Sequence, residues 1–559
     1  MRRSQETAIF TVQPRLRCLI RTPVIAALSV VVTSLFVAPT AFAQAKESEE
    51  SVLGPGCAPY RPAIAHHAGG AIAKADKNEK APIPCTSSTG FRTGEISLVV
   101  TNEGTLLFQP AFPETGLPIG VLRSVDQGAT WDFIDPKGNP PRKTSFDMNM
   151  WVDQDSGRVY WSNDLGLGIP PVPGPLPRVD YSDDEGKTWV SSSPIPDFHY
   201  IATQIVSGPP PKNLKHPAGS SPNPVYVATS GSISCPVFNF CGKHVAKSLD
   251  GGVTFSPGVA IPFPPECPAP GIYPTGAFGV NGVVGRDGTV YEPSTPCERP
   301  YIAISHDEGD TWQLVRVAET ETIGWGELGV GIDKQGNLYA AWTAAADRLP
   351  YLAISRDGGL HWSKPLMIAA PGVNEAAIPQ LVVGATGQVA VAYYGSKNAP
   401  VPFPPDCIIG SSTFPNLSGN GVIYTLLQDA PSLSCPGYEK ETWDTYITET
   451  WNALDQEPLF WSATLNDPNK PTWYGATPSS MRVPGGFAGG HNAGTGLNVD
   501  YFAATMTPDN TVWVGFVQEC PFGLPVVGNP NCPSTLTGAL TDGLFGMVGR
   551  LLRVHGANE

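Results

Sequence analysis

The sequence predicts an all-β fold: a β-propeller of four-stranded antiparallel blades, seven in number, with six as the alternative. Three observations carry this. An octet recurs five times, as SVDQGATW at 124–131, SDDEGKTW at 182–189, SLDGGVTF at 248–255, SHDEGDTW at 305–312 and SRDGGLHW at 355–362. The intervals of 58, 66, 57 and 50 residues mark a repeated supersecondary unit. A second pattern lies upstream of the octets, in which an apolar run meets a polar turn and then a β-rich run. GEISLVVTNEGTLLF (94–108) aligns without gaps on GELGVGIDKQGNLYA (326–340), and looser versions stand at 150–161, 282–292, 381–394 and 503–516. Helical periodicity is almost absent, and short strands punctuated by turns are an all-β signature.

Each unit reads as strand A, turn, strand B, loop, strand C, octet turn, strand D, the arrangement of a propeller blade. A poorer unit precedes the third octet, with Val225, Tyr226 and Val227 as its strand B. The last unit has no octet, and the stretch between Gly387 and Asn510 holds a long insertion at about 397–440. Inside the octet every residue type has a turn-building role. The aspartate accepts hydrogen bonds from its own turn, the glycine supplies positive φ, the hydroxyls cap local backbone and the closing aromatic ring is buried. Asp126, Asp184, Asp250, Asp307 and Asp357 are therefore expected to be structural.

Residues 1–43 read as a signal peptide: arginines at 2, 3, 15, 17 and 21, an apolar run from Pro23 to Val37, then Ala41-Phe42-Ala43 as a cleavage site. Residues 44–90 read as an N-terminal extension and 91–559 as the propeller. Without the first 43 residues the chain carries 30 basic and 49 acidic residues, a net charge of −19. That charge disfavours nucleic acid and anionic membrane surfaces, and no membrane insertion is expected after cleavage. Ten cysteines then remain, an even number suited to a secreted, extracellular or periplasmic protein. No C-x-x-C, HExxH, P-loop or G-x-S-x-G occurs.

The octet resembles the Asp-box of the sialidase, or BNR-repeat, superfamily, and the five copies cover residues 94–362. The resemblance implies that the octets face away from the active site. It also implies an exo-sialidase-type glycosidase, with an arginine triad, an aspartate acid/base and a Tyr-Glu nucleophile pair. Members have Arg-Ile-Pro before the first strand A; here Phe91-Arg92-Thr93-Gly94 keeps the arginine only, so Arg92 is the candidate.

Strand reversal puts the A–B and C–D turns on one face, here the lower, and the B–C and D–A loops on the upper. If cysteines near in sequence pair, Cys235 joins Cys241, Cys267 joins Cys297, Cys407 joins Cys435 and Cys520 joins Cys532 on the upper face, while Cys57 with Cys85 closes the extension. Glu95 and Glu327 stand nine residues before the turn glycines Gly104 and Gly336; Asp147 and Asp500 stand ten before Gly157 and Asn510. All four are expected at the starts of strands A, beside the upper channel mouth. Such carboxylates can act as general acid and base, hold polar ligand groups, or coordinate a hard cation such as Ca²⁺, although no dedicated cofactor is expected. Trp325 beside Glu327 offers a sugar-stacking wall, and Tyr501 beside Asp500 joins the ligand-binding candidates. Arg299 and Arg348 precede equivalent strands C and suit an anionic sugar group. Two functions stay open: binding or hydrolysis of a carbohydrate or other polar ligand at the mouth, and a non-catalytic extracellular binding or scaffold propeller.

Overall fold

A computed structural model describes residues 56–74, 80–93, 96–110, 120–136, 149–163, 177–196, 204–231, 240–267, 281–322, 328–398, 442–474, 502–519 and 544–553. Two N-terminal strands, β1 (Ile64–His66) and β2 (Ile83–Arg92), precede the blades in the chain. Blade 1 is β3 (Ile96–Val100), β4 (Leu106–Pro110), β5 (Val121–Ser124) and β6 (Asp132–Ile134). Blade 2 is β7 (Met150–Val152), β8 (Val159–Asn163), β9 (Arg178–Ser182) and β10 (Val190–Ser191). Blade 3 is β11 (Gln204–Ser207), β12 (Val225–Gly231), β13 (Phe240–Ser248) and β14 (Val259–Ala260). Blade 4 is β15 (Val283–Val284), β16 (Val290–Ser294), β17 (Tyr301–Ser305) and β18 (Gln313–Arg316). Blade 5 is β19 (Leu328–Ile332), β20 (Leu338–Thr343), β21 (Pro350–Ser355) and β22 (Leu366–Met367).

Blade 6 is β23 (Glu375–Val383), β24 (Val389–Ser396), β25 (Thr442–Thr450) and β26 (Phe460–Thr464), with β27 (Trp473–Tyr474) pairing on β25. Blade 7 takes β28 (Ala503–Met506), β29 (Val512–Glu519) and β30 (Leu544–Leu552). Its fourth, outer strand is β2, and β1 adds a fifth to blade 6. The inner strands β3, β7, β11, β15, β19, β23 and β28 touch in turn, and β28 returns to β3. The ring is closed, and the protein is a seven-bladed β-propeller.

One sequence expectation changes here. The boundary at residue 91 falls inside β2, so the expected extension supplies strands to two blades. The last blade lacks an octet because its strands C and D come from opposite ends of the chain, leaving no C–D turn. Blade 6 carries a degenerate one: Thr450 Oγ1 donates to Asn452 Oδ1 at 2.9 Å, with Thr and Asn in the places of Ser and Asp.

The strands read as apolar runs because both faces of a blade are buried between neighbours. Along β20, Leu338, Ala340 and Trp342 pack with Tyr291 and Ile302 of blade 4, while Tyr339 and Ala341 pack with Val391 and Tyr393 of blade 6. No helix among the described residues is long and apolar enough to cross a membrane.

Candidate functional site

The five octets form one hydrogen-bonded turn. In the fourth, Ser305 Oγ donates to Asp307 Oδ1 at 2.8 Å and accepts from the Gly309 amide at 2.7 Å. The Thr311 amide and hydroxyl donate to Oδ1 and Oδ2 of Asp307 at 2.9 and 2.5 Å. Burial alone pushes this carboxyl up; the donors from Thr311 and Ser305 outweigh it and hold Asp307 below the ordinary aspartate range. Asp357, where His361 replaces the threonine, is held at about 2 by the His361 amide and ring. The turn consumes its own acid, leaving no spare oxygen for chemistry.

The inner strands enclose a channel of about 660 Å³, within the size range of small-molecule sites. Its upper end is laced by polar side chains. Asn281, two residues before β15, accepts from the Ile205 amide at 3.0 Å and donates to Asn149 Oδ1 at 3.1 Å, so blade 4 is tied to blades 2 and 3. The Met150 amide donates to Ser97 Oγ at 2.9 Å, tying blade 2 to blade 1.

Below this mouth, between blades 3 and 4, Lys243 Nζ lies 2.8 Å from Glu292 Oε2 and donates to Gln204 Oε1 at 2.6 Å and to the Pro293 carbonyl at 2.9 Å. Both charges are essentially solvent-free, and burial lowers the lysine pKa against the raising effect of Glu292. A Cβ on Gly282 would come within 2.4 Å of Glu292 Oε1, so the close approach requires glycine there.

Of the sequence candidates, Glu95, Asp147, Glu327, Asp500, Trp325 and Tyr501 lie outside the described residues, as do Cys235, Cys407, Cys435, Cys520 and Cys532. Arg92 belongs by its backbone to the outer strand of blade 7, opposite Phe545. Arg348 reaches the inner strand of the next blade: its Nη1 donates to Glu375 Oε1 at 3.1 Å, and its carbonyl accepts from the Ala376 amide at 2.7 Å. Arg299 stays on the strand C side of blade 4. There the Tyr301 hydroxyl donates to Glu266 Oε1 at 2.5 Å; burial, then Glu266, pushes the phenol up to about 12. Blade 5 repeats the pair, with Tyr351 donating to Asp347 Oδ2 at 2.6 Å. Disulfides join Cys57 to Cys85 and Cys267 to Cys297, the latter stapling the connection that leaves blade 3 to the B–C turn of blade 4.

Glu375 is a buried carboxylate at the start of an inner strand that counting back from the turn misses. It stands twelve residues before Gly387 rather than nine or ten, because β23 is long and is bulged at Ile378, whose φ is 55°. The signal that could have found it is its place just upstream of an apolar run, irrespective of count.

No family model matches the chain, and no curated protein does. Solved structures of similar fold include a protein of unknown function from Dyadobacter fermentans, 13% identical over 83% of this chain and 98% of that one, with a TM-score of 0.36. The Hadza microbial sialidase Hz136 is 15% identical over 77% of this chain and 63% of its own, with a TM-score of 0.34. A leech intramolecular trans-sialidase, complexed with 2,7-anhydro-Neu5Ac, is 13% identical over 82% and 68%, with a TM-score of 0.36. At these identities the likeness is one of fold.

Proposed function

We propose that this chain is an exported propeller that binds a carbohydrate or another polar ligand at the upper channel mouth. The observation that carries the reading is the common start of β3, β7, β19 and β28 at one end of a ligand-sized channel. In sequence, Glu95 and Glu327 stand one residue before β3 and β19, and Asp147 and Asp500 three residues before β7 and β28. Four carboxylates leading into inner strands of separate blades suit polar recognition, and a pair of them suits acid and base work on a glycosidic bond. The described carboxylate at the start of an inner strand, Glu375, is paired with Arg348. Export is supported by the two disulfides and by the leader-like first 43 residues.

The test is a panel of fluorogenic glycosides, a sialoside among them, run beside calorimetric titration with the free sugars. Release of fluorophore makes the protein a glycosidase; binding without release makes it a non-catalytic binder. Glu327→Gln should abolish either signal while leaving thermal unfolding unchanged. A panel with neither binding nor release, or an unimpaired Glu327→Gln protein, removes the site from the upper mouth.

A further inference from the structure

The lower end of the channel has a different character from the upper. Four residues before each turn glycine or its equivalent, successive inner strands carry Val284, Ile332, Val383 and Met506 in blades 4 to 7. All four are half-buried and line the channel. Each leans toward a glycine of the preceding blade. A Cβ on Gly208 would sit 2.5 Å from Val284, one on Gly285 would sit 3.5 Å from Ile332, one on Gly331 would sit 2.4 Å from Val383, and one on Gly384 would sit 2.3 Å from Met506. The side chains missing from those glycines leave room for a continuous apolar arc along the channel wall, where a ring filled by larger residues would be closed.

Blades 2 and 3 break the arc with a polar notch. Asp153, at the equivalent position in blade 2, accepts from Ser207 Oγ at 2.7 Å, from Asn223 Nδ2 at 2.9 Å, and from the Ser156 amide and hydroxyl, each at 2.8 Å. Asn223 spends its second proton on Asp155 at 3.0 Å. The notch is satisfied by itself and offers little to a ligand.

Two residues before the turn glycine, the neighbouring blades 4 and 5 carry Arg286 and Lys334. Both line the channel, both are exposed, and neither has an ion-pair or side-chain hydrogen-bond partner among the described residues. In a chain with a net charge of −15, two unpaired cations at equivalent positions of adjacent blades, directly below an apolar arc, form an asymmetric lip. We propose that the lower channel is a binding site for a small amphiphilic anion, whose apolar body lies along Val284, Ile332, Val383 and Met506 and whose carboxylate or similar head sits between Arg286 and Lys334. The arc supplies burial in proportion to apolar area, and the lip selects the charge. This site is separate from the upper mouth.

Octanoate is the probe, with octanol as its uncharged counterpart, titrated calorimetrically into the purified protein. Octanoate should bind one to one, octanol about tenfold more weakly, and Arg286→Ala/Lys334→Ala should weaken octanoate by about tenfold while leaving octanol and thermal unfolding unchanged. Equal binding of acid and alcohol, or an undiminished double variant, overturns the role of the lip. No binding at millimolar octanoate overturns the site. In crystals grown with 8-bromooctanoate, the bromine should lie against Val383 and Met506; bromine outside the channel also overturns the proposal.

Discussion

At Asp307 three donors converge on one carboxylate, two hydroxyls and one amide. Replacing it by alanine leaves the Thr311 amide and the Ser305 hydroxyl without their acceptor. The expected cost is about 1–3 kcal/mol in thermal or urea unfolding, with ligand binding at either end of the channel intact. An unchanged midpoint would show that the octet bonds add nothing net. A second residue with a one-way role is His66, which is fully buried and stacked on Phe460. Its Nδ1 donates to the His67 carbonyl at 3.0 Å, which makes Nε2 the acceptor for Ser462 Oγ at 2.7 Å. Ser462 accepts from Thr448 at 2.7 Å, Thr448 from Tyr393 at 3.2 Å, and Tyr393 from the Ala370 amide at 2.7 Å. Every hydroxyl points toward the imidazole, so a proton on Nε2 would reverse the chain and set the Tyr393 hydrogen against the Ala370 N–H. Burial accordingly lowers the His66 pKa below 6.5. The folded state resists a proton that the unfolded state accepts. The stability contributed by this group is complete above about pH 6.5 and is lost as pH falls through the depressed folded value. Between pH 7 and 5 the wild-type midpoint should fall more than that of His66→Gln; parallel curves would contradict the assignment, as would an imidazole NMR titration at or above 6.5.

At the scale of strands and turns, the sequence makes legible what repeats locally and hides what closes at a distance. The A–B hairpins of blades 1, 2 and 4 to 7 stand where the apolar-turn-apolar pattern puts them, and Val225 to Val227 is strand B of blade 3. Thr450 and Asn452 escaped the octet pattern because a hydroxyl and an amide perform the same turn bonding with different letters. β2 was illegible as a propeller strand because its partner, β30, is more than 450 residues away, and no local period connects them. The site was less legible than the fold. Glu375 was displaced by a bulge, and Lys243 and Glu292 lie on different blades and share no motif. That ion pair makes an element-scale prediction, because it joins strand C of blade 3 to strand B of blade 4 with no solvent to absorb a mismatch. Lys243→Met or Glu292→Gln alone should destabilise by about 3–5 kcal/mol, each leaving a buried charge or polar partner unanswered. Lys243→Met/Glu292→Leu should recover most of the loss, since both desolvation costs then disappear. A double variant as unstable as the sum of the singles would show no coupling between the two charges and would overturn mutual neutralisation as the source of the loss.

For the whole molecule, the ring is closed at two seams by the same N-terminal segment. β2 completes blade 7 against β30, with pairing from Ile83↔Leu552 to Ser88↔Met547, and β1 extends blade 6 against β26. Between them, Arg61 Nη1 donates to the Asn466 carbonyl at 2.7 Å and Thr86 Oγ1 to the Leu465 carbonyl at 2.5 Å, so residues 56–92 strap two blades together. The Cys57–Cys85 disulfide fixes the strap to its own outer strand. Without β2, the hydrogen-bonding edge of β30 would be open, and blade 7, which contacts β3 through β28 and β29, would have to close the ring with three strands. Deleting residues 1–55 should therefore leave a single cooperative unfolding transition, whereas deleting residues 1–92 should give an aggregating chain or one that melts without a sharp transition. Cys57→Ser/Cys85→Ser lies between these, with a cooperative transition weakened by about 2–5 kcal/mol. The control is a circular permutant in which the C-terminus is linked to residue 80 and new ends are opened in the 164–176 segment. It loses β1 and the Cys57–Cys85 bond but keeps β2 and makes it consecutive with β30, so it should retain a single sharp transition. A sharp transition in the 1–92 deletion would mean that six blades and a three-stranded seventh suffice, and that the seam is not what holds the ring.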